Sequence, residues 1–279
     1  MTFQSDPEHK EVLNGPVDPQ QPIVQAAKPL PEQWRMRDLL FFVLFIPVAL
    51  VAANIIAFAG YALLAPALHL RGSILKLQTN TVFLLTLQLI LYTFLLAYIY
   101  MFIRFYYRAS FWVALGWKKL SAHNTVRYLL GGVALSVVVI AIPPLLPEKK
   151  SFPLERMFNS PVSAYAIAVF AIAIAPFMEE LLFRGLLFAF FEKHAGLTFA
   201  IVSTAILFSG LHVFEYWGAW QQVIMIMIVG LTFSIVRGVT GSLTPSYMMH
   251  MAYNGTQMAL LFVQTQHFHK MPAGFLLFH

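Results

Sequence analysis

Residues 161–191 read PVSAYAIAVFAIAIAPFMEELLFRGLLFAFF, a long apolar run with Glu179, Glu180 and Arg184 set inside it. About 20 apolar residues suffice for a helix to cross a bilayer. A charged side chain in such a helix costs about 2.5–3.5 kcal/mol on insertion scales, so intramembrane charges usually mark function. Glu180 and Arg184 are four apart, share a helix face and have the favoured acid-first order. Glu179 points about a quarter-turn away and has no partner at that spacing. Two neighbouring carboxylates in a dry setting titrate as a coupled pair. If Arg184 holds Glu180 ionised, Glu179 is left to gain and lose a proton. A helix end with both acids in water is the plainer reading, and the apolar Leu186–Phe191 continuation speaks against it.

Composition places the rest of the chain in the membrane too. Of 279 residues, 59% are hydrophobic and 11% charged, against roughly a quarter charged in soluble domains. Seven apolar segments run about 39–66, 82–103, 128–146, 161–191, 198–214, 219–236 and 243–263. The fourth can be split at Pro176, where the missing N–H bends a helix, into a span and a short interfacial helix. The expected fold is all-α, a polytopic membrane bundle of about seven or eight transmembrane helices.

Residues 1–33 are polar and carry Pro7, Pro16, Pro19, Pro22, Pro29 and Pro31, which predicts a disordered tail and no signal peptide. N-terminal transmembrane helices fill 34–158, a catalytic core 159–265 and a short tail 266–279. Lys28, Arg35 and Arg37 precede the first span, and Arg104, Arg108, Lys118, Lys119 and Arg127 follow the second. The positive-inside rule then puts the N-terminus in the cytoplasm, with the cell membrane as the expected location. Lys149, Lys150 and Arg156 on the other side weaken that bias.

The net charge of +6 lies in short clusters between spans, suited to lipid headgroups. No basic stripe carries interleaved aromatics, so nucleic acid is not an expected partner. Cysteine is absent, which excludes thiol nucleophiles and cysteine metal sites. Trp34, Trp112, Trp117, Trp217 and Trp220 read as interfacial anchors. His267, His269 and His279 read as a solvated tail.

Two further breaks occur in the apolar pattern. Phe208-Ser209-Gly210-Leu211-His212 closes the fifth span, where a lone histidine is more often interfacial than reactive. His250 and Asn254, in the seventh, lie one turn apart on one face, and interhelical hydrogen bonding is their plainer role. If the turns at 192–197 and 237–242 share a membrane face, Glu179 lies about 18 Å deep, His212 about 21 Å and His250 about 10 Å. These depths allow the groups to meet, and place them inside the bilayer on the cytoplasmic side.

A carboxylate, two histidines and an asparagine in a dry cavity suit hydrolysis. One carboxylate and a histidine activate water, while the other histidine and the asparagine receive an oxyanion. The alternative is one zinc ion held by Glu179, His212 and His250, although no His-Glu-x-x-His pattern occurs. A proton-coupled transporter would use the same residue types, and a non-catalytic immunity or scaffold protein would keep them unused.

The order Glu-Glu-x-x-x-Arg, Phe-x-x-x-His, His-x-x-x-Asn, carried by Glu179, Glu180, Arg184, Phe208, His212, His250 and Asn254, resembles the CPBP family. That family includes the type II CAAX prenyl proteases and the bacteriocin-processing or abortive-infection proteins. The resemblance covers about 160–265. It implies an intramembrane endopeptidase acting on a membrane-embedded or lipidated protein or peptide. By the same resemblance, Glu179 and His212 activate water, Glu180 and Arg184 support them, and His250 with Asn254 forms the oxyanion hole. Family members are called metalloproteases, and a metal-free glutamate mechanism is also argued for them.

Overall fold

The computed structural model describes residues 35–67, 77, 79–142 and 156–270. The proposed tail 1–33, most of the proposed tail 266–279, and His279 lie outside them. Among the described residues the fold is helical, with no strand. The elements are α1 (Met36–Ala67), α2 (Thr81–Met101), α3 (Phe111–Ala114), α4 (Ala122–Ala141), α5 (Pro161–Val169), α6 (Ala175–Glu180), α7 (Phe188–Leu211), α8 (Trp220–Thr240) and α9 (Leu243–Gln264). Wider π-helical turns extend α2 over Phe102–Tyr106 and link α5 to α6 and α6 to α7 over Phe170–Ile174 and Leu181–Leu187.

Local chemistry sets the helix starts. The side chains of Asn80, Ser121 and Ser160 accept from the backbone N–H of Phe83, Asn124 and Ser163, satisfying donors with no partner inside the helix. Pro161 occupies the first turn, where its missing N–H costs nothing. At the start of α1, Asp38 is buried, accepting from the Arg35 N–H at 2.8 Å and from the Tyr107 hydroxyl. That ties the first helix to the end of the second.

Five continuous helical stretches are long and apolar enough to cross a membrane, at 36–66, 81–106, 122–141, 161–211 and 220–240 among the described residues. This is fewer than the seven or eight expected, for two physical reasons. The fourth and fifth expected segments run on as one stretch, but Gly196 breaks it with φ 84°, a left-handed conformation that glycine adopts readily. The last segment, α9, is too polar to qualify by composition, because Thr244, Ser246, His250 and Gln257 are buried in the protein rather than facing lipid.

Pro176 does not split the fourth segment. The chain stays helical through it, with the wide turn Phe170–Ile174 immediately upstream. Proline offers no N–H to the preceding turn, and a π-type turn is a common way to absorb that loss.

Helix α4 packs along α9, α7 along α8, and α1 chiefly along α2. The α4–α9 approach depends on Gly132, where a Cβ would stand 2.2 Å from the Met249 carbonyl oxygen. Large apolar side chains such as Phe41, Leu44, Val48 and Ile55 of α1 remain exposed, as a lipid-facing surface requires.

Candidate active site

The site is built around Glu180 and Arg184, both with no exposed surface. Arg184 Nη1 donates to Glu180 Oε1 at 3.0 Å, one turn back along the helix. Arg184 Nη2 donates to the Gly230 carbonyl of α8 at 2.8 Å. Aromatic rings surround the guanidinium, with Phe208 at 4.5 Å, Phe233 at 5.6 Å and Phe183 at 5.9 Å from its carbon. Gly230 makes this possible, since a Cβ there would stand 2.9 Å from the Phe208 ring. One residue of α8 thus supplies a carbonyl to the arginine and clearance to the ring that covers it.

His250 joins the pair from α9. Its Nδ1 lies 3.0 Å from Glu180 Oε1, and a carboxylate bound to Arg184 can only accept, so the imidazole donates. Its other nitrogen, Nε2, lies 3.6 Å from Glu179 Oε2. The ring packs between Phe208 and Phe233. His250 therefore bridges the two carboxylates that adjacent positions had set on different faces.

Phe208 has a second task one turn before the end of α7. Its carbonyl accepts from Nδ1 of His212 at 2.9 Å, which fixes the tautomer and leaves Nε2 as the nitrogen able to take a proton. Asn254 donates from Nδ2 to the Ala171 carbonyl at 2.8 Å, within the wide turn upstream of Pro176. One N–H of the Asn254 amide is thereby spent, and the other stays available.

A cavity of about 190 Å³ gathers Glu179, His212, His250 and Asn254 into one wall set. Glu180 and Arg184 do not line it. The structure thus places four of the six expected site residues on the cavity and the other two behind it.

The lining also shows where the cavity lies. It includes Leu85 and Gln88 near the start of α2, Met157 and Phe158 before α5, His212, Glu215 and Tyr216 after α7, and Gln257 and Met258 late in α9. These are the helix ends opposite the turns at 192–197 and 241–242. The expected depths of about 18–21 Å already passed the midplane of a hydrocarbon core about 30 Å thick.

Glu215, Gln88 and Gln257 line this cavity and were missed in the sequence. Glu215 follows His212 by three residues in the α7–α8 loop, and charge in a loop carries no insertion cost to flag it. Part of its side chain is exposed. Even so, the protein packed around its carboxyl pushes the pKa up, with the His212 charge opposing and the Glu179 charge adding.

Residues 161–256 match the family described as type II CAAX prenyl endopeptidase Rce1-like. This segment, about a third of the chain, is similar to that family. Its bounds take in all three motifs and exclude α1 to α4. UPF0177 protein YbdI of Lactococcus lactis subsp. lactis (strain IL1403) is 27% identical over 129 residues, 46% of this chain and 67% of that relative. No solved structure matches the chain.

A zinc site needs three or four side-chain ligands gathered around one point. Among the described residues no three His, Asp or Glu side chains are grouped as a cation would need. Glu179, His212 and His250 share the cavity wall, and each histidine gives Nδ1 to Glu180 or to the Phe208 carbonyl and keeps Nε2 open, as a metal-binding histidine also would. These three side chains are not grouped around one point among the described residues.

Breaking one member of a buried ion pair strands the other charge, at about 3–5 kcal/mol. Arg184→Met should therefore lower the unfolding midpoint of the purified protein in detergent sharply. Adding Glu180→Gln to that variant should recover most of the loss. Equal losses in the single and double variants would show that the pair is not what Arg184 stabilises.

Proposed function

We propose that the chain is an intramembrane endopeptidase of the metal-free, glutamate type. Its substrate would be a membrane-embedded or lipidated protein or peptide. The observation that carries this reading is the shared cavity wall of Glu179, His212, His250 and Asn254, backed by a buried pair that holds His250 in place.

Glu179 takes a proton from a water molecule while His212 Nε2 accepts a hydrogen bond from the same water and orients it. The water oxygen attacks the peptide carbonyl carbon, and the carbonyl oxygen becomes an oxyanion. Glu179 passes its proton across to His250 Nε2. The imidazolium so formed is balanced by Glu180 and, with the free N–H of Asn254, receives the oxyanion. As the tetrahedral carbon collapses and the C–N bond breaks, His250 returns that proton to the leaving amine. Atoms and charge balance, with one water consumed. Glu180 and Arg184 act as positioning residues because they hold His250 and face away from the cavity.

The side of access is part of the same proposal. The ends of α1, α2 and α4 that carry Arg35, Arg37, Arg104, Arg108 and Arg127 face the cytoplasm by the positive-inside rule. The cavity then opens towards the opposite face of what is proposed to be the cell membrane.

Two experiments test these statements. Membrane-protein N- and C-terminal peptides are compared between cells carrying the wild type and cells carrying Glu179→Gln, a swap that preserves size. Specific termini should fall at least about a hundredfold in the variant, as expected for loss of a general base. Matching sets at equal protein levels would remove the hydrolase reading.

The chain has no cysteine, so single cysteines report topology cleanly. A membrane-impermeant maleimide on intact cells should label Trp217→Cys, and should label Lys193→Cys only after permeabilisation. The reverse pattern would invert the assigned orientation.

A further inference from the structure

Five buried side-chain atoms have no hydrogen-bond partner among the described residues, on Ser136, Glu180, Arg184, Ser242 and Gln257. Gln257 alone of these lines the cavity. Its residue is 7% exposed, and the unpartnered atom is the amide nitrogen Nε2, a donor. The Tyr253 hydroxyl, one turn back, interacts with the Gln257 side chain but stands outside hydrogen-bond geometry to that nitrogen. The cavity's other glutamine differs, since Gln88 Nε2 donates to the Tyr92 hydroxyl at 2.9 Å. Burying an amide without a partner is costly. An unmet donor on the wall of a reaction cavity is therefore a place for a ligand's acceptor.

Position says which acceptor. Gln257 follows Asn254 by three residues, about 4.5 Å along α9, and an extended peptide advances about 3.3 Å per residue. A carbonyl meeting Gln257 therefore lies within about two residues of one meeting Asn254. The cavity wall also carries apolar side chains, among them Phe158, Ile167 and Met258. It offers side chains room and leaves a backbone carbonyl with Gln257 as its donor.

We propose that Gln257 is a substrate-backbone subsite, donating from Nε2 to a peptide carbonyl within two residues of the bond being cut. This rests on the endopeptidase reading. Gln257 is a positioning residue that sets how the chain lies in the cavity and takes no part in proton transfer.

The test uses an acetylated leucine peptide with a central hydroxyethylene unit in place of the scissile bond and two residues on each side. A set of analogues has one backbone carbonyl at a time reduced to methylene. Affinities are read from the ligand-dependent rise in unfolding midpoint of the purified protein in maltoside detergent, which offers no lipid ester. For the wild type, one reduced analogue should bind roughly tenfold more weakly than the parent peptide. For Gln257→Met, parent and that analogue should bind alike, with Gln257→Leu as a second variant if Met impairs folding. A wild type that does not distinguish the analogues, as a lipid-filled or unused subsite would leave it, overturns the proposal. So does a variant that keeps the preference, or one that weakens every ligand equally. Cleavage is read separately through Glu179→Gln, so this subsite and the hydrolase reading can fail independently.

Discussion

A guanidinium and a carboxylate buried in a membrane bundle hold this site together. Neither Arg184 nor Glu180 has exposed surface, and desolvating two charges costs several kcal/mol per ion before pairing returns any of it. The pair survives because its neighbours are complementary: the Gly230 carbonyl, three aromatic faces and the His250 ring. Those neighbours come from α7, α8, α9 and the wide turn after α6. The bundle must close around the pair in one arrangement, and that arrangement aims His250 at Glu179.

Divided labour follows for the adjacent glutamates. Glu180 is fixed by two donors on one oxygen and serves geometry, while Glu179 reaches the cavity. The wide helical turns matter in the same way. The turn before Pro176 frees a carbonyl at Ala171 that anchors Asn254, so a proline in the helix of Glu179 orients a side chain on another helix. Phe208 likewise serves twice, its ring on Arg184 and its carbonyl on His212.

Much of this was legible in the sequence because charge inside an apolar run is conspicuous. Glu179, Glu180, Arg184, His250 and Asn254 all stand where lipid-facing helices cannot tolerate them. The i,i+4 spacing of Glu180 and Arg184 foretold their contact. What escaped notice lacked that contrast. Gln257 resembles ordinary interhelical glue near a helix end, and Glu215 belongs to a connection. The left-handed turn at Gly196 and the wide turns around α6 are backbone events with no distinctive side-chain pattern. The position of the cavity also needed the structure, because depth counted from one helix end says little until the opposite ends are seen together.

The most direct test is an experimental structure of the protein with the central hydroxyethylene peptide bound. The account places the ligand hydroxyl within hydrogen-bond reach of His250 Nε2 and the Asn254 amide, with Glu179 and His212 on the attacking side and Glu180 still held by Arg184. A peptide bound outside this cavity would contradict it. So would a cation held by Glu179, His212 and His250, or a ligand hydroxyl bonded to Glu180 in place of the pair.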